Sequence, residues 1–336
     1  TRSPSPLVIP GAGRHDGGMV ELSDVLDRLH VVALPMRVRF RGITVREVAL
    51  IDGPAGWGEF GAFLEDRPPE AAPWLAAGLE AAYRPQPEVV RHRIPINATV
   101  PAVAAGEVAA ILARFPGART AKVKVAEPGQ SLADDVARVN AVRSVVPRVR
   151  VDANGGWSVE EAVTAARALT ADGPLEYVEQ PCTTVPELAE VRRRIGVPVA
   201  ADESIRKAED PLLVVRSGAA DVAVLKVAPL GGVQKLLDIA GQIDIPIVVS
   251  SALDSAVGIG VGLVAAACLP ELPYACGLGT GGLFVEDVAE PVTFADGYLP
   301  AATVTPDPAR LAALAASPER RQWWIDRVRA CIPLLH

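Results

Sequence analysis

The 336-residue chain has no run of about 18 apolar residues, so no transmembrane helix is expected. It lacks a basic excess: 33 Lys and Arg stand against 40 Asp and Glu, a net charge of -7. A nucleic-acid binder would need a cationic face for phosphates, and that class is set aside. The four cysteines, Cys182, Cys268, Cys276 and Cys331, show no CxxC spacing. That argues against a disulfide framework or a cysteine zinc site and leaves them as small buried hydrophobes. No GxGxxG follows an early strand, so an open dinucleotide-binding sheet is only the runner-up; Gly277-x-Gly279-x-x-Gly282 comes late and reads as turn glycines. What remains is a chain of 50% hydrophobic residues, long enough for one large barrel or two to three ordinary domains. Its composition suits a soluble cytoplasmic globular protein.

Residues 1–18 are rich in Pro, Gly, Ser and Arg and precede Met19. They read as a leader or disordered arm. From about residue 94 to 280 a pattern recurs: a β-branched run ends in a polar residue, and a loop and an amphipathic helix follow. The strand candidates are 95–100, 121–125, 149–153, 175–180, 197–203, 221–227, 245–251 and 274–279. Between them, Ser158-x-x-Glu161 and Thr184-x-x-Glu187 have capping-box spacing. Asp210-Pro211 marks a helix start and Gly218 a helix end. Eight βα units predict an α/β fold, a closed (β/α)8-type barrel over 93–282 with its active site at the C-terminal strand ends. The flanking segments, 19–92 and 283–336, contain strand-like stretches (31–40, 44–51), a helix around 69–83 and one over 306–330. Together they predict a smaller α+β capping domain.

Ionisable residues fall at one depth on this scaffold. Lys122 and Lys124 lie on the second strand, Asp152, Glu179 and Asp202 end the third to fifth, Lys226 ends the sixth, and Ser250-Ser251 the seventh. Taken singly, each has an ordinary reading as a turn former, a loop carboxylate or part of an exposed edge strand. Five consecutive strands carrying charge at the same depth point to a site. Three carboxylates on adjacent strands are hard ligands suited to Mg²⁺, or Mn²⁺ in its place. Strands two and six oppose one another in a barrel of eight, so Lys124 and Lys226 should face across the mouth. Such a site can remove a proton beside a carboxylate, with the metal neutralising the enolate. A lysine whose pKa is depressed by Lys122 and the metal would be the base.

Lys122-x-Lys124, Asp152-x-Asn154, Glu179-Gln180-Pro181, Asp202-Glu203-Ser204 and Lys226, with Gly56-Trp57-Gly58-Glu59 upstream, resemble the enolase superfamily, specifically its muconate-lactonising subgroup. The resemblance covers nearly the whole chain after Met19 and implies the modified TIM barrel, (β/α)7β, with its α+β cap. The segments 95–101, 120–125 and 179–182 are most similar to bacterial dehydratases of that subgroup, which convert a hydroxycyclohexadiene carboxylate to a succinylbenzoate in the menaquinone pathway. That likeness implies metal ligation by Asp152, Glu179 and Asp202. It also implies that Lys124 takes the α-proton and returns a proton to the departing hydroxyl. Lys226 would be a cation over the opposite face, and the labels of the two lysines stay interchangeable.

N-acylamino acid racemases, dipeptide epimerases and cycloisomerases share this core, because two opposed lysines also suit a two-base proton transfer. Substrate choice is expected in the cap loops near Arg41 (37–42) and Phe60 (60–63), with Asn154, Ser250, Ser251 and Leu278. No dipeptide-reading acid stands at 277–279, which favours the dehydratase. A sugar-acid dehydratase would need a histidine base at a strand end. The four histidines, His15, His30, His92 and His336, are elsewhere. Retention of all six charged positions argues against a barrel that has lost its activity.

Overall fold

The computed structural model describes residues 21–207, 210–292 and 294–335, so the expected leader over 1–18 lies outside the described residues. The chain begins with α1 (Leu22–Asp27) and a three-stranded antiparallel sheet, β1 (Leu29–Phe40), β2 (Ile43–Gly53) and β3 (Gly56–Phe60), then α2 (Pro68–Tyr83). The β1–β2 hairpin turns through Arg41 and Gly42, both at positive φ (48° and 85°), the geometry that a two-residue turn between twisted strands requires. Proline at the first position and Glu70 folded back onto the Arg67 N–H (3.3 Å) start α2, which buries Trp74, Leu75 and Leu79.

After β4 (Arg93–Pro95) the chain alternates strands and helices: β5 (Ala98–Val100), α3 (Val108–Leu112), β6 (Thr120–Lys124), α4 (Leu132–Arg143), β7 (Arg148–Asp152), α5 (Val159–Thr170), β8 (Val178–Glu179) and α6 (Val185–Arg194). It continues with β9 (Val199–Ala201), α7 (Glu203–Arg206), α8 (Leu213–Arg216), β10 (Val222–Leu225), α9 (Val227–Leu230), α10 (Val233–Ala240), β11 (Ile247–Val249) and α11 (Ala256–Cys268). Strands β5 to β11 pair in sequence order as a parallel seven-stranded sheet. The expected eighth strand is reduced to a closing piece. Cys276 bridges Ile96 and Gly277 bridges Ser250, both parallel, so this piece joins the first and last strands. Cys276 N donates to Pro95 O (2.6 Å) and Gly277 N to Val249 O (2.8 Å). Both capping boxes form as the spacing predicts: Ser158 N donates to Glu161 (2.8 Å) and Thr184 N to Glu187 (2.9 Å). Gly218 ends α8 at φ 59°.

The C-terminal segment runs through β12 (Tyr298–Pro300), α12 (Pro308–Ala313) and α13 (Pro318–Cys331). The single helix expected over 306–330 is therefore two, because Ser317 caps a new start at Pro318. β12 pairs antiparallel with β4, whereas Ala315 bridges Val32 of β1 and α13 packs on the cap. Trp324 is fully buried edge-on to Phe60 at 5.3 Å, with its indole N–H on Glu47 (3.0 Å). All four cysteines are unpaired; three are buried, and Cys268 is half-buried rather than the buried hydrophobe expected. No described helix is long and apolar enough to cross a membrane.

Candidate active site

Parallel pairing without register shifts brings the strand ends level. Lys124 pairs with Asp152 and Asp152 with Glu179 on neighbouring strands, and Asp202 lies two residues beyond Ala200, the partner of Glu179. Residues two apart on a strand share a face, so Lys122 and Lys124 both point inward while Val123 packs outward in the core. The carboxylates of Asp152, Glu179 and Asp202 are wholly buried, and the three lysines nearly so.

Each carboxylate is tied to a lysine. Lys122 Nζ donates to both Glu179 oxygens (2.8 and 3.0 Å) and lies 3.4 Å from Asp152. Lys124 Nζ is paired with Asp152 and donates to Asn154 Oδ1 (2.8 Å), with the Phe40 ring of the cap 5.2 Å away. Lys226 Nζ donates to Asp202 (2.6 Å). Burial sets the titration of these groups, and the pairs then modify it. Burial opposes the charge of Lys122, but Glu179 and Asp152 outweigh it and hold the ammonium protonated. For Lys124 burial wins: its pKa is lowered, helped by the charge of Lys122 and resisted by Asp152. Burial works against ionising Asp152 and Asp202 as well. Lys124 and Lys122 nevertheless keep Asp152 well below the usual carboxylate range, and Lys226 and Arg206 lower Asp202. Glu179 is pushed up to about 7 by burial and by the neighbouring Asp152. The depression expected for Lys124 is present, with desolvation as its largest cause and Lys122 second to it.

Among the described residues, no three of His, Cys, Asp or Glu stand close enough to enclose an ion as they are. The donor set still fits a divalent cation. It consists of hard oxygens on three adjacent strands, and Asp202 Oδ1 is buried with no hydrogen bond. Arg206 Nε is 3.3 Å from that oxygen without the angle of a hydrogen bond.

A cavity of about 370 Å³ opens over the lysines, a size suited to a small organic ligand. Of the expected contacts, Arg41, Asn154, Ser250 and Ser251 line it, along with all three lysines. Two do not. Phe60 is fully buried against Trp324, and the cavity is lined by Phe63 instead. Leu278 faces Gly262 of α11 and lines another cavity, whereas Gly277 borders the site. At the closing strand the cause is alternation, since an offset of one residue selects the opposite face. In the cap the cavity wall comes from the loop after β3, which carries Phe63, and not from the strand end at Phe60.

Three further features emerge only from the structure. Thr99 lines the cavity with its hydroxyl buried and unpartnered. Gln180 braces two strand ends: its amide N–H groups donate to Cys182 O and Ser204 Oγ (2.9 and 2.7 Å), and its oxygen accepts from the Asp202 and Ser204 N–H groups (3.0 and 3.2 Å). Five non-glycine residues around the mouth, Arg41, Ala126, Asn154, Gln180 and Leu253, have positive φ, a strain that folded proteins concentrate at functional sites.

Residues 31–82 match the enolase N-terminal domain-like family and residues 104–306 the enolase C-terminal domain-like family. The chain is 76% identical to the curated o-succinylbenzoate synthase of Mycobacterium marinum, over 95% of this chain and 98% of that one. It is also 76% identical to the enzyme of the same name from Mycolicibacterium smegmatis, over 95% and 99%. Among solved structures, muconate lactonizing enzyme from Pseudomonas putida superposes with a TM-score of 0.71 at 21% identity, covering 86% of this chain and 98% of that one. The enzyme from Pseudomonas fluorescens complexed with muconolactone gives 0.73 over the same shares. At that identity the structural likeness speaks for the fold alone. The sequence match is far stronger, and the chain belongs to the enolase superfamily and, within it, to the o-succinylbenzoate synthases.

Proposed function

We propose that the chain dehydrates 2-succinyl-6-hydroxy-2,4-cyclohexadiene-1-carboxylate to 2-succinylbenzoate, a cytoplasmic step toward menaquinone. The observation that carries this reading is the 76% identity to o-succinylbenzoate synthases over 95% of the chain. The buried lysines Lys124 and Lys226, on opposed strands of one cavity with three buried carboxylates between them, supply the chemistry it needs. The catalytic unit is the barrel, 93–282, and the cap is drawn from 19–92 and 283–336.

Asp152, Glu179 and Asp202 would hold a divalent cation, Mg²⁺ by the hardness of the oxygens, and its charge would make the proton beside the substrate carboxylate more acidic. Lys124 removes that proton in its neutral form, which its lowered pKa makes accessible. Lys122, pinned by Glu179 and Asp152, stays an ammonium and serves as fixed charge. Lys226 presents its cation to the other face of the ring. The C–H electron pair then forms the new ring double bond as the neighbouring C–O bond breaks. Lys124 hands its proton to the departing hydroxyl, which leaves as water from an aromatic product. Thr99, Ser250 and Ser251 supply hydroxyls to the substrate's polar groups, and Arg41 at the hairpin tip supplies a cation for its second carboxylate.

The test is direct. Purified protein with Mg²⁺ and the diene should bleach the diene absorbance with stoichiometric formation of 2-succinylbenzoate. An inert diene in the presence of Mg²⁺ would end this reading.

A further inference from the structure

The loop after β11, residues 250–255, supplies Ser250, Ser251, Ala252 and Leu253 to the cavity. Its backbone is strained at Leu253, which has φ 61° without being glycine. Such a residue persists where its surroundings over-determine it. Here those surroundings come from the cap. Arg46 of β2 is 2% exposed and donates through Nε to Leu253 O (3.2 Å) and through a second nitrogen to Gly61 O. The same guanidinium lies 4.7 Å from the ring of Phe63, which lines the opposite lip of the cavity.

Glu59 of β3 completes the attachment. Its Oε2 accepts from Ser255 N (3.0 Å), Ser255 Oγ (2.5 Å) and Gly258 N (3.2 Å). The first three N–H groups of α11, which an isolated helix leaves unpaired, are thus all satisfied: Ala256 by Asp287 (3.0 Å), Val257 by Ser255 Oγ (3.2 Å) and Gly258 by Glu59. Space for the carboxylate is made by two glycines. A Cβ at Gly258 would lie 2.9 Å from Glu59 Oε2, and one at Gly61 would lie 2.7 Å from Oε1.

We propose that Arg46 and Glu59 are positioning residues that clamp the 250–255 loop, and so set how tightly the site holds its substrate, without touching the reacting atoms. This rests on the dehydratase reading above for its kinetic readout. Neither side chain lines the cavity, and proton transfer stays with lysines on other strands. Loss of the clamp should therefore weaken binding of ground state and transition state alike, which appears in KM and not in kcat.

The experiment compares Glu59→Ala, Arg46→Met and Glu59→Gln with the parent in steady-state dehydration, thermal unfolding and amide hydrogen exchange. For Glu59→Ala and Arg46→Met, KM should rise about tenfold or more, with kcat within about threefold, as expected for lost buried hydrogen bonds at a binding loop. Exchange should quicken at residues 252–258 while the strands bearing Lys124 and Lys226 stay protected. Glu59→Gln keeps an acceptor of the same reach and should restore KM to within about threefold of the parent. A folded Glu59→Ala with parental KM would overturn the proposal. So would a loss of kcat and melting temperature together that Gln does not rescue, since that marks a merely structural role. Should Glu59→Ala fail to fold, Gly258→Ala places a methyl 2.7 Å from Asp254 Cβ and 2.9 Å from Glu59 Oε2, crowding both the loop and the carboxylate, and an unchanged KM there is equally fatal. An inactive parent refutes the reaction instead. The clamp is then judged by exchange, which must still quicken at 252–258.

Discussion

Replacing Lys124 tests the division of labour among the lysines. The side chain is 10% exposed and touches Asp152, Asn154 and the face of Phe40. Lys124→Ala removes the proton acceptor, and losing a positioned general base costs about 10²–10⁴ in rate, or about 3–5 kcal/mol of barrier. The fold should survive. Asp152 keeps Lys122 at 3.4 Å, so the cost stays below the roughly 3–5 kcal/mol of stranding a buried charge, at about 1–3 kcal/mol. Lys124→Arg sharpens the comparison, because a guanidinium keeps the positive charge but cannot be deprotonated near neutral pH. Both variants should bind substrate with KM within about threefold of the parent and lose kcat alike. Diene bleaching gives the rates, and circular dichroism melts check the fold. A kcat within about tenfold of the parent in Lys124→Arg would refute Lys124 as base and move the role first to Lys226.

Lys122→Ala should move the rising limb of kcat/KM toward higher pH, because Lys122 lowers its neighbour's pKa; an unmoved limb removes that role. Chelation should abolish turnover, and Asp202→Asn should weaken Mg²⁺ binding by at least the roughly 10–100-fold that loss of an outer partner costs, read by titration calorimetry, while parental affinity would exclude Asp202 as a ligand. Glu59 gives a pH signature in stability. Burial, with the nearby Asp254 and Asp287, pushes its carboxyl up to about 8 against the pull of Ser255 and Arg46. A raised carboxyl pKa favours the folded state at low pH, and that contribution is lost as pH rises through about 8. The melting temperature of the parent should therefore fall more steeply from pH 6 to 9 than that of Glu59→Gln, and parallel curves would contradict it.

Much of this site was legible because a parallel barrel converts a repeated sequence pattern into a ring. Lys124, Asp152 and Glu179 recur at the same depth of successive βα units, and parallel pairing places equal depths side by side. Capping boxes at Ser158 and Thr184 were legible for the same local reason, a fixed three-residue spacing. What escaped depends on which face a strand turns toward its neighbour. In β3 the pattern drew attention to Phe60, yet Glu59 faces the barrel and Phe60 the cap core; at the closing strand Gly277 faces the cavity and Leu278 faces α11. Strand lengths were overstated wherever apolar residues ran past the paired stretch. Within residues 175–180 only Val178–Glu179 is regular strand, although Glu176, Tyr177 and Gln180 still bond to the neighbouring segments through their backbone. The role of Gln180 could not be read, because three of its four hydrogen bonds go to Asp202 and Ser204 at the next strand end, which only the fold brings beside it.

Incubation in deuterated water tests the central claim most directly, because it separates dehydration from the racemisation that the same opposed lysines could support. The protein is given the diene and, in parallel, N-acylamino acids, with aromatic product and α-carbon deuterium followed over time. A dehydratase expels hydroxide and cannot return, whereas a racemase places solvent deuterium on the α-carbon from the opposite face. The account predicts rapid, stoichiometric 2-succinylbenzoate, with any deuterium entering N-acylamino acids far more slowly by kcat/KM. Rapid deuterium incorporation with no aromatic product from the diene would contradict it.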